Sequence, residues 1–500
     1  MIRIVIFSSL ILSATSCSVP RSSYSPLKKY SPEQLHKDYT FFRGVLEESH
    51  PGLYWYSSKE EMDRYFDWGE NQLRDSLTEP RFRNVLSYVA AKINCGHTVV
   101  QGSKAFSRFR DTGITKVFPL SLKLWSDSSS SDVVFAAVAA NLIRNDSLLK
   151  RGVEVKKING WSIPVLTDTL CQYISSDGYN LTHKYQTLSN RGGFGSAYTS
   201  IFGVKENYFI DYTDSCGEER SVVIPAYNPR ADSLARSSVT RFRDAGPYAR
   251  KKLIRQSARS FRIDSSNLIG IMDLNSFGRR LHLKSFIKTS FRSMRQRPVS
   301  HLVLDVRGNG GGSVSNSTLL TRFIINRKFK VADSLFAKTI NSRYKKNIEN
   351  YFFTRLFMQL MTSKKKDGRY HFGFFERHYF KPKKKNHFDG QVYIITGGNS
   401  FSATTLFAQT VKNQDNVILV GEETGGGAYG NNAWLIPDVT LPVTGVRFRL
   451  PLFRLVLDKN IPKDGRGVQP EIESKPTVDA IRRGIDYKAE KVMELIRKNQ

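Results

Sequence analysis

Two apolar runs that open directly into glycine clusters constrain this chain more than any other feature. Leu302-Val303-Leu304-Asp305-Val306 continues into Arg307-Gly308-Asn309-Gly310-Gly311-Gly312, and Val392-Tyr393-Ile394-Ile395-Thr396 continues into Gly397-Gly398-Asn399-Ser400-Phe401-Ser402-Ala403. Short unbroken apolar strands are buried on both faces, as in a parallel sheet covered by helices. The flanking pattern agrees. It predicts strands over 268–274, 302–306, 392–396 and 417–420, separated by helices over 282–295, 313–325 and 403–413. That alternation means βαβ units, and such sheets bind ligands past the carboxyl ends of their strands, where both glycine clusters fall.

The rest of the chain has a different texture. Ser31-Pro32-Glu33 opens a helix with a capping Ser and a first-turn Pro, and Leu35, Tyr39, Phe42 and Leu46 recur at helical spacing until His50-Pro51-Gly52 ends it. Helices over 59–77 and 79–93 complete an N-terminal helical domain spanning 31–100. From 115 to 225 the pattern turns to strands, with Ile158-Asn159-Gly160 marking a tight turn. A basic connector over 228–262 leads to the α/β core over 263–476, and a helix over 477–500 ends the chain. This is an α/β multidomain protein, and its 40% hydrophobic content supplies several cores.

Before residue 31 the sequence reads as an export address. Met1-Ile2-Arg3 is a charged start, Ile4 to Leu12 an apolar core, and Ala14-Thr15-Ser16 a small-residue stretch ending at Cys17. The pattern is similar to a bacterial lipoprotein leader over 1–17, with Cys17 as the lipidated residue and 18–30 as a tether. The expected place is the bacterial cell envelope, with the lipid in the outer membrane and the protein facing the periplasm or the surface. A plain secretory leader with an incidental Cys17 is the alternative. Export permits a Cys171–Cys216 bridge without establishing one.

The net charge is +31, with seventeen Lys/Arg against four Asp/Glu between Arg327 and Phe388. Such runs are commonly solvated loops, though this one can also attract an anionic polymer. No zinc-finger spacing or RNP-like aromatic pattern accompanies it, so nucleic acid is not an expected partner.

Backbone N–H groups in the Gly308–Gly312 turn can stabilise an oxyanion or cradle a phosphate. No Gly-Lys-Ser/Thr follows, so the turn is not a Walker loop. The second cluster puts a serine at a helix start, where the dipole favours developing negative charge, although capping alone also explains a serine there.

Together the two segments resemble the C-terminal processing (tail-specific) serine peptidase family, in particular its tricorn-like branch. Asp305 to Gly312 matches the family's Asp-x-Arg-x-Asn-Gly-Gly-Gly. Ser400 to Thr404 matches Ser-x-Ser-Ala-Ser, Gly421 to Gly427 matches Gly-Glu-x-Thr-x-Gly, and Gly467 to Ile472 matches the closing Gly-Val-x-Pro-Glu block. The resemblance implies a crotonase/ClpP-like catalytic core, a PDZ-like domain over 115–225 and a polypeptide substrate, with no metal or other cofactor. It makes Ser402 the nucleophile, with Ala403 and Gly310 or Gly311 as oxyanion donors.

In the bacterial tail-specific branch a catalytic Lys follows the Glu-x-Thr segment. That place falls at Gly427 here, in a stretch without any Lys. The tricorn-like branch uses a histidine instead, and Asn94-Cys95-Gly96-His97-Thr98 matches its Gly-His-Thr motif, so the resemblance makes His97 the general base. Imidazole suits the role because it exchanges a proton near neutral pH. By position before Gly467, Asp464 is the expected acid partner, with a plain turn role as its alternative. Glu422 and Asp305 are expected to order their loops. The expected function is an exported serine endopeptidase. A catalytically inactive peptide-binding scaffold of the same fold and a polyanion or membrane-surface binder remain as alternatives.

Overall fold

The computed structural model describes residues 24–112, 116–126, 133–232, 246–264, 268–297 and 299–498. The leader, Cys17, residues 18–23 of the tether and the middle of the connector lie outside the described residues.

The two apolar runs lie side by side in a six-stranded sheet. Its order is Arg259–Asp264, Ile269–Leu274, His301–Asp305, Gln391–Thr396, Val417–Gly421, Ile472–Glu473. The first pair is antiparallel and every other pair parallel. Strand alternation assigns the faces. Leu302, Leu304, Val392 and Ile394 point to one core, shared with Phe291, Phe323 and Phe407 from three helices, while Val303, Tyr393 and Ile395 point to another, shared with Val492 and Ile496 of the C-terminal helix Tyr487–Lys498. Both faces are covered, which is why the strands carry no polar alternation. The edge strand Arg259–Asp264 comes from the stretch expected to be connector.

Residues 120–225 form an antiparallel sheet in the order Leu120–Ser126, Val134–Asn141, Glu154–Ile158, Asn207–Thr213, Glu219–Pro225, with three helices against it. Cys171 and Cys216 are both free thiols, so no bridge joins them.

The N-terminal helices Pro32–Ser49, Lys59–Asn71 and Glu79–Lys92 do not close a core of their own. Phe42, Phe82 and Leu86 share one with Leu335, Ala337, Met358 and Phe372 of the basic segment and with Phe448 and Phe453. The basic segment is thus half interior. Its strands Ser334–Ala337, Ser363–Lys364 and Tyr370–His371 join Gly430–Ala433 and Phe453–Val456 in a five-stranded sheet. Among the described residues no helix is long and apolar enough to cross a membrane.

Candidate active site

Ser402 stands between the strand Gln391–Thr396 and the helix Ala403–Val411, at φ 57° and ψ −121°. A residue with a Cβ holds such a backbone only when its surroundings impose it, at about 1–3 kcal/mol. Here two glycines impose it by close approach. A Cβ on Gly311, itself at φ 93°, would lie 2.8 Å from Ser402 Cβ and 3.0 Å from Ala403 N, and one on Gly426 would lie 3.1 Å from Ser402 N. The sharp strand-to-helix turn presents the Ser402 hydroxyl at the helix N-terminus, where it makes no capping bond.

Ser400 is structural by contrast. Fully buried, it donates from Oγ to the Val306 carbonyl (2.8 Å) and accepts the Gly425 N–H (2.9 Å) on its own carbonyl. Thr405 Oγ1 donates to that same carbonyl (3.1 Å) and so braces the turn.

Of the expected oxyanion donors, Gly311 is already engaged, since its N–H donates to Asn309 Oδ1 (2.9 Å). The Gly310 and Ala403 N–H groups make no hydrogen bond within the described residues, and Gly310 borders open space. Gly310 and Ala403 are thus the expected donors left without a hydrogen bond among the described residues.

His97 lies across the same cavity, a cleft of about 1650 Å³ lined by Ser402, His97, His183 and Gly310 together with an apolar wall that includes Phe353, Phe357, Phe372 and Trp434. Its ring packs on Phe401, centroid to centroid 4.8 Å, and neither ring nitrogen has a hydrogen-bond partner among the described residues. Ser402 and His97 face one cleft without a direct hydrogen bond. Burial, helped by the Arg449 cation and His183, pushes the His97 pKa down to about 3, so the imidazole is neutral near pH 7.

The carboxylate beside His97 is Asp177, not Asp464. Asp177 Oδ1 lies 3.9 Å from His97 Nδ1, and both side chains are buried. Burial raises the Asp177 pKa to about 7, against the pull of the Gly96 and Gly427 N–H groups that it accepts at 2.9 and 3.3 Å. Asp464 is an exposed turn residue whose carboxylate accepts the Arg466 N–H (2.9 Å). The acid at that end of the molecule works elsewhere: buried Glu423 pairs with Arg466 (2.8 Å), accepts the Gly467 N–H (2.6 Å) and the Thr182 hydroxyl (2.9 Å), and so ties the closing block to the 120–225 domain. Glu422 pairs with buried Lys488, and Asp305 accepts the Arg307 guanidinium (2.9 Å).

His183 also went unrecognised in the sequence. Its Nδ1 donates to the Gly398 carbonyl (2.8 Å), which in the neutral ring leaves Nε2 without a proton, and its ring, like that of His97, packs on Phe401.

Residues 268–474 match Peptidase family S41. The match covers the α/β core and makes the chain a serine-type peptidase. Mature CPAF superposes over 93% of this chain and 96% of its own, at 14% identity and a TM-score of 0.60. CPAF complexed with lactacystin gives 14% identity over 93% and 98%, with a TM-score of 0.61. The photosystem II D1 C-terminal processing protease covers 91% of this chain and 98% of its own at 12% identity and a TM-score of 0.40. At these identities the CPAF likeness shows the fold. No curated protein sequence matches the chain.

Within the S41 domain, Gly427 has no room for the lysine of the bacterial branch. A Cβ there would sit 2.6 Å from the Gly430 carbonyl oxygen, and the Gly427 N–H is held by Asp177.

Proposed function

We propose that the protein is an exported, lipid-anchored endopeptidase that cleaves peptide bonds through Ser402, with His97 as general base and Asp177 as the group that orients and charges it. One observation carries this reading: a strained serine at a helix N-terminus shares a cleft with a buried, unpartnered imidazole. A serine hydroxyl is a weak nucleophile until a base takes its proton. His97 accepts that proton as Ser402 Oγ attacks the carbonyl carbon, and returns it to the leaving amine. The imidazolium formed in between is stabilised by the Asp177 carboxylate at 3.9 Å. The Gly310 and Ala403 N–H groups, without other hydrogen bonds among the described residues, serve as the oxyanion donors, in a cleft where exclusion of water strengthens each bond. The missing Ser402–His97 contact closes when substrate fills the cleft, as catalytic hydrogen bonds commonly tighten on binding.

The leader ending at Cys17 supports export and anchoring to the cell envelope, and the cleft's apolar wall suits a polypeptide carrying large apolar side chains. That same missing contact also favours a second reading, an inactive peptide-binding scaffold. A fluorophosphonate probe separates the two, because only an activated serine reacts. Labelling of the wild type and none of Ser402→Ala, with both equally folded, is the expected result. An unlabelled wild type in the presence of a bound peptide would favour the scaffold.

A further inference from the structure

The helix Tyr351–Met361, in the basic segment, is apolar nearly all round. In a soluble protein such a helix is normally enclosed. Met358 is buried in the core shared with the N-terminal helices, while Phe353, Phe357 and Met361, spaced four apart, line the open cleft, where Phe353 stays 71% exposed. A further stripe lies outside the cleft lining. Phe352, Leu356 and Leu360, again four apart, are 68%, 42% and 74% exposed. Lysines stand at both ends of this stripe. Lys345 and Lys346 precede the helix, Lys364 and Lys366 follow it, and all four are exposed without an ion pair among the described residues. Among the described residues the acids nearby are few: Asp367 is held by His371, Glu376 by Lys365 and His371, and Glu349 at the helix start has no ion pair.

We propose that this stripe and its flanking lysines dock the protein on an anionic bilayer, with the mouth of the cleft beside the lipid surface. Aromatic and aliphatic side chains that enter the acyl boundary, with ammonium groups level with the phosphates, are the signature of an interfacial helix. A second copy fits less well, because two such faces would bring lysines against lysines on chains that each carry +31. A peptide substrate already has the cleft-facing stripe. The rings of Phe352 and Phe353 touch edge to face at 5.6 Å, so the lipid-facing and cleft-facing stripes are continuous at the mouth.

The test uses the full chain carrying Cys17→Ala, so that no acyl chain contributes. It is sedimented with vesicles of phosphatidylcholine alone and of equal parts phosphatidylcholine and phosphatidylglycerol. Binding to the anionic vesicles should exceed binding to the neutral ones and weaken with salt. Phe352→Ser/Leu356→Ser/Leu360→Ser in the same background should lower the partition coefficient about tenfold or more. Should that variant fail to fold, Lys345→Gln/Lys346→Gln/Lys364→Gln/Lys366→Gln should lose the anionic preference alone. Phe352→Trp should shift its emission to the blue when vesicles are added. Unchanged partition of the stripe or lysine variants, or unchanged Trp emission, would overturn the proposal. So would concentration-dependent self-association that the stripe variant abolishes, which would assign the face to a second copy.

Discussion

The two sides of the cleft were built in different ways. On the side proposed for the nucleophile the backbone of one sheet sets the geometry: a strand, a glycine turn and a helix start place Ser402, and a neighbouring parallel strand brings in Gly310 and Gly311 at a fixed register, Leu304 opposite Ile394 and Asp305 opposite Ile395. On the base side nothing is local. His97 follows a helix of the N-terminal region, Asp177 comes from a turn of the 120–225 domain, and the two meet because the Asn94–Thr98 turn and the Ser175–Gly178 turn bond to each other. Gly178 N–H donates to the Asn94 carbonyl (3.0 Å), Ser175 Oγ to the Thr98 carbonyl (2.7 Å) and Gly96 N–H to Asp177 (2.9 Å). Chemistry that depends on backbone shape can be written in a dozen residues. Chemistry that depends on two side chains from separate domains requires those domains to fold against each other first.

The largest effects should come from taking one chemical group from each side. His97→Ala should reduce kcat/KM for peptide hydrolysis by on the order of 10²–10⁴ or more, close to the loss in Ser402→Ala, because the two groups act as a unit. The double variant should then be little worse than either single one. Fully additive losses would mean that the two sides do not cooperate and that another group, His183 first among them, serves as base.

Next comes the link between the domains. Asp177 must be ionised to stabilise an imidazolium, and its pKa is raised to about 7, while His97 is held near 3 and is already neutral. The rate should therefore rise with pH through about 7, and the apparent value belongs to the pair rather than to either group. Asp177→Asn keeps the size and can still accept a hydrogen bond, yet should lower kcat/KM by about 10²–10⁴ and flatten that rising limb. A limb that survives in Asp177→Asn would assign it to another group and remove Asp177 from the mechanism.

A smaller effect is expected on the nucleophile side, where shape rather than charge is at stake. Gly311→Ala forces a Cβ to within 2.7 Å of the Phe401 carbonyl oxygen at a φ of 93°, which should cost about 1–3 kcal/mol of stability and displace the serine. Gly310→Ala meets no atom within 4 Å and keeps its N–H, so it should stay folded and retain most activity. Equal thermal stability of the two variants would show that the turn has slack.

How much of this the sequence disclosed follows the same division. The parallel core, Ser402 and the glycine turn are legible because unbroken apolar runs and glycine clusters leave local marks. Asp177 left none: in Ser175-Ser176-Asp177-Gly178 it reads as an ordinary turn aspartate, and only the approach of Gly96 and Gly427 makes it a buried carboxylate. His183 lies in a helix whose Asn180 cap accepts its N–H (2.9 Å), a signal of helix start and nothing more. The basic segment misled in the opposite sense. Its lysine runs suggest a solvated loop, while its Leu335, Ala337 and Phe372 sit in the largest core.

Asp464 gives the smallest expected effect and the sharpest contrast with Asp177. Its position before Gly467 recommended it, but its carboxylate is exposed and is used in accepting the Arg466 N–H two residues on, a bond that shapes the turn in which Gly465 takes φ 73°. An asparagine makes the same turn bond, because its side-chain oxygen accepts from the backbone two residues on just as aspartate does. Asp464→Asn should therefore change kcat/KM by less than about twofold and stability by no more than about 0.5 kcal/mol, the range for a surface position away from special features. The comparison with Asp177→Asn, measured on the same peptide across the same pH range, tests position along the chain against position in space. A loss with Asp464→Asn as large as that with Asp177→Asn would mean that the base side rearranges around substrate and that the acid arrives from the closing block after all.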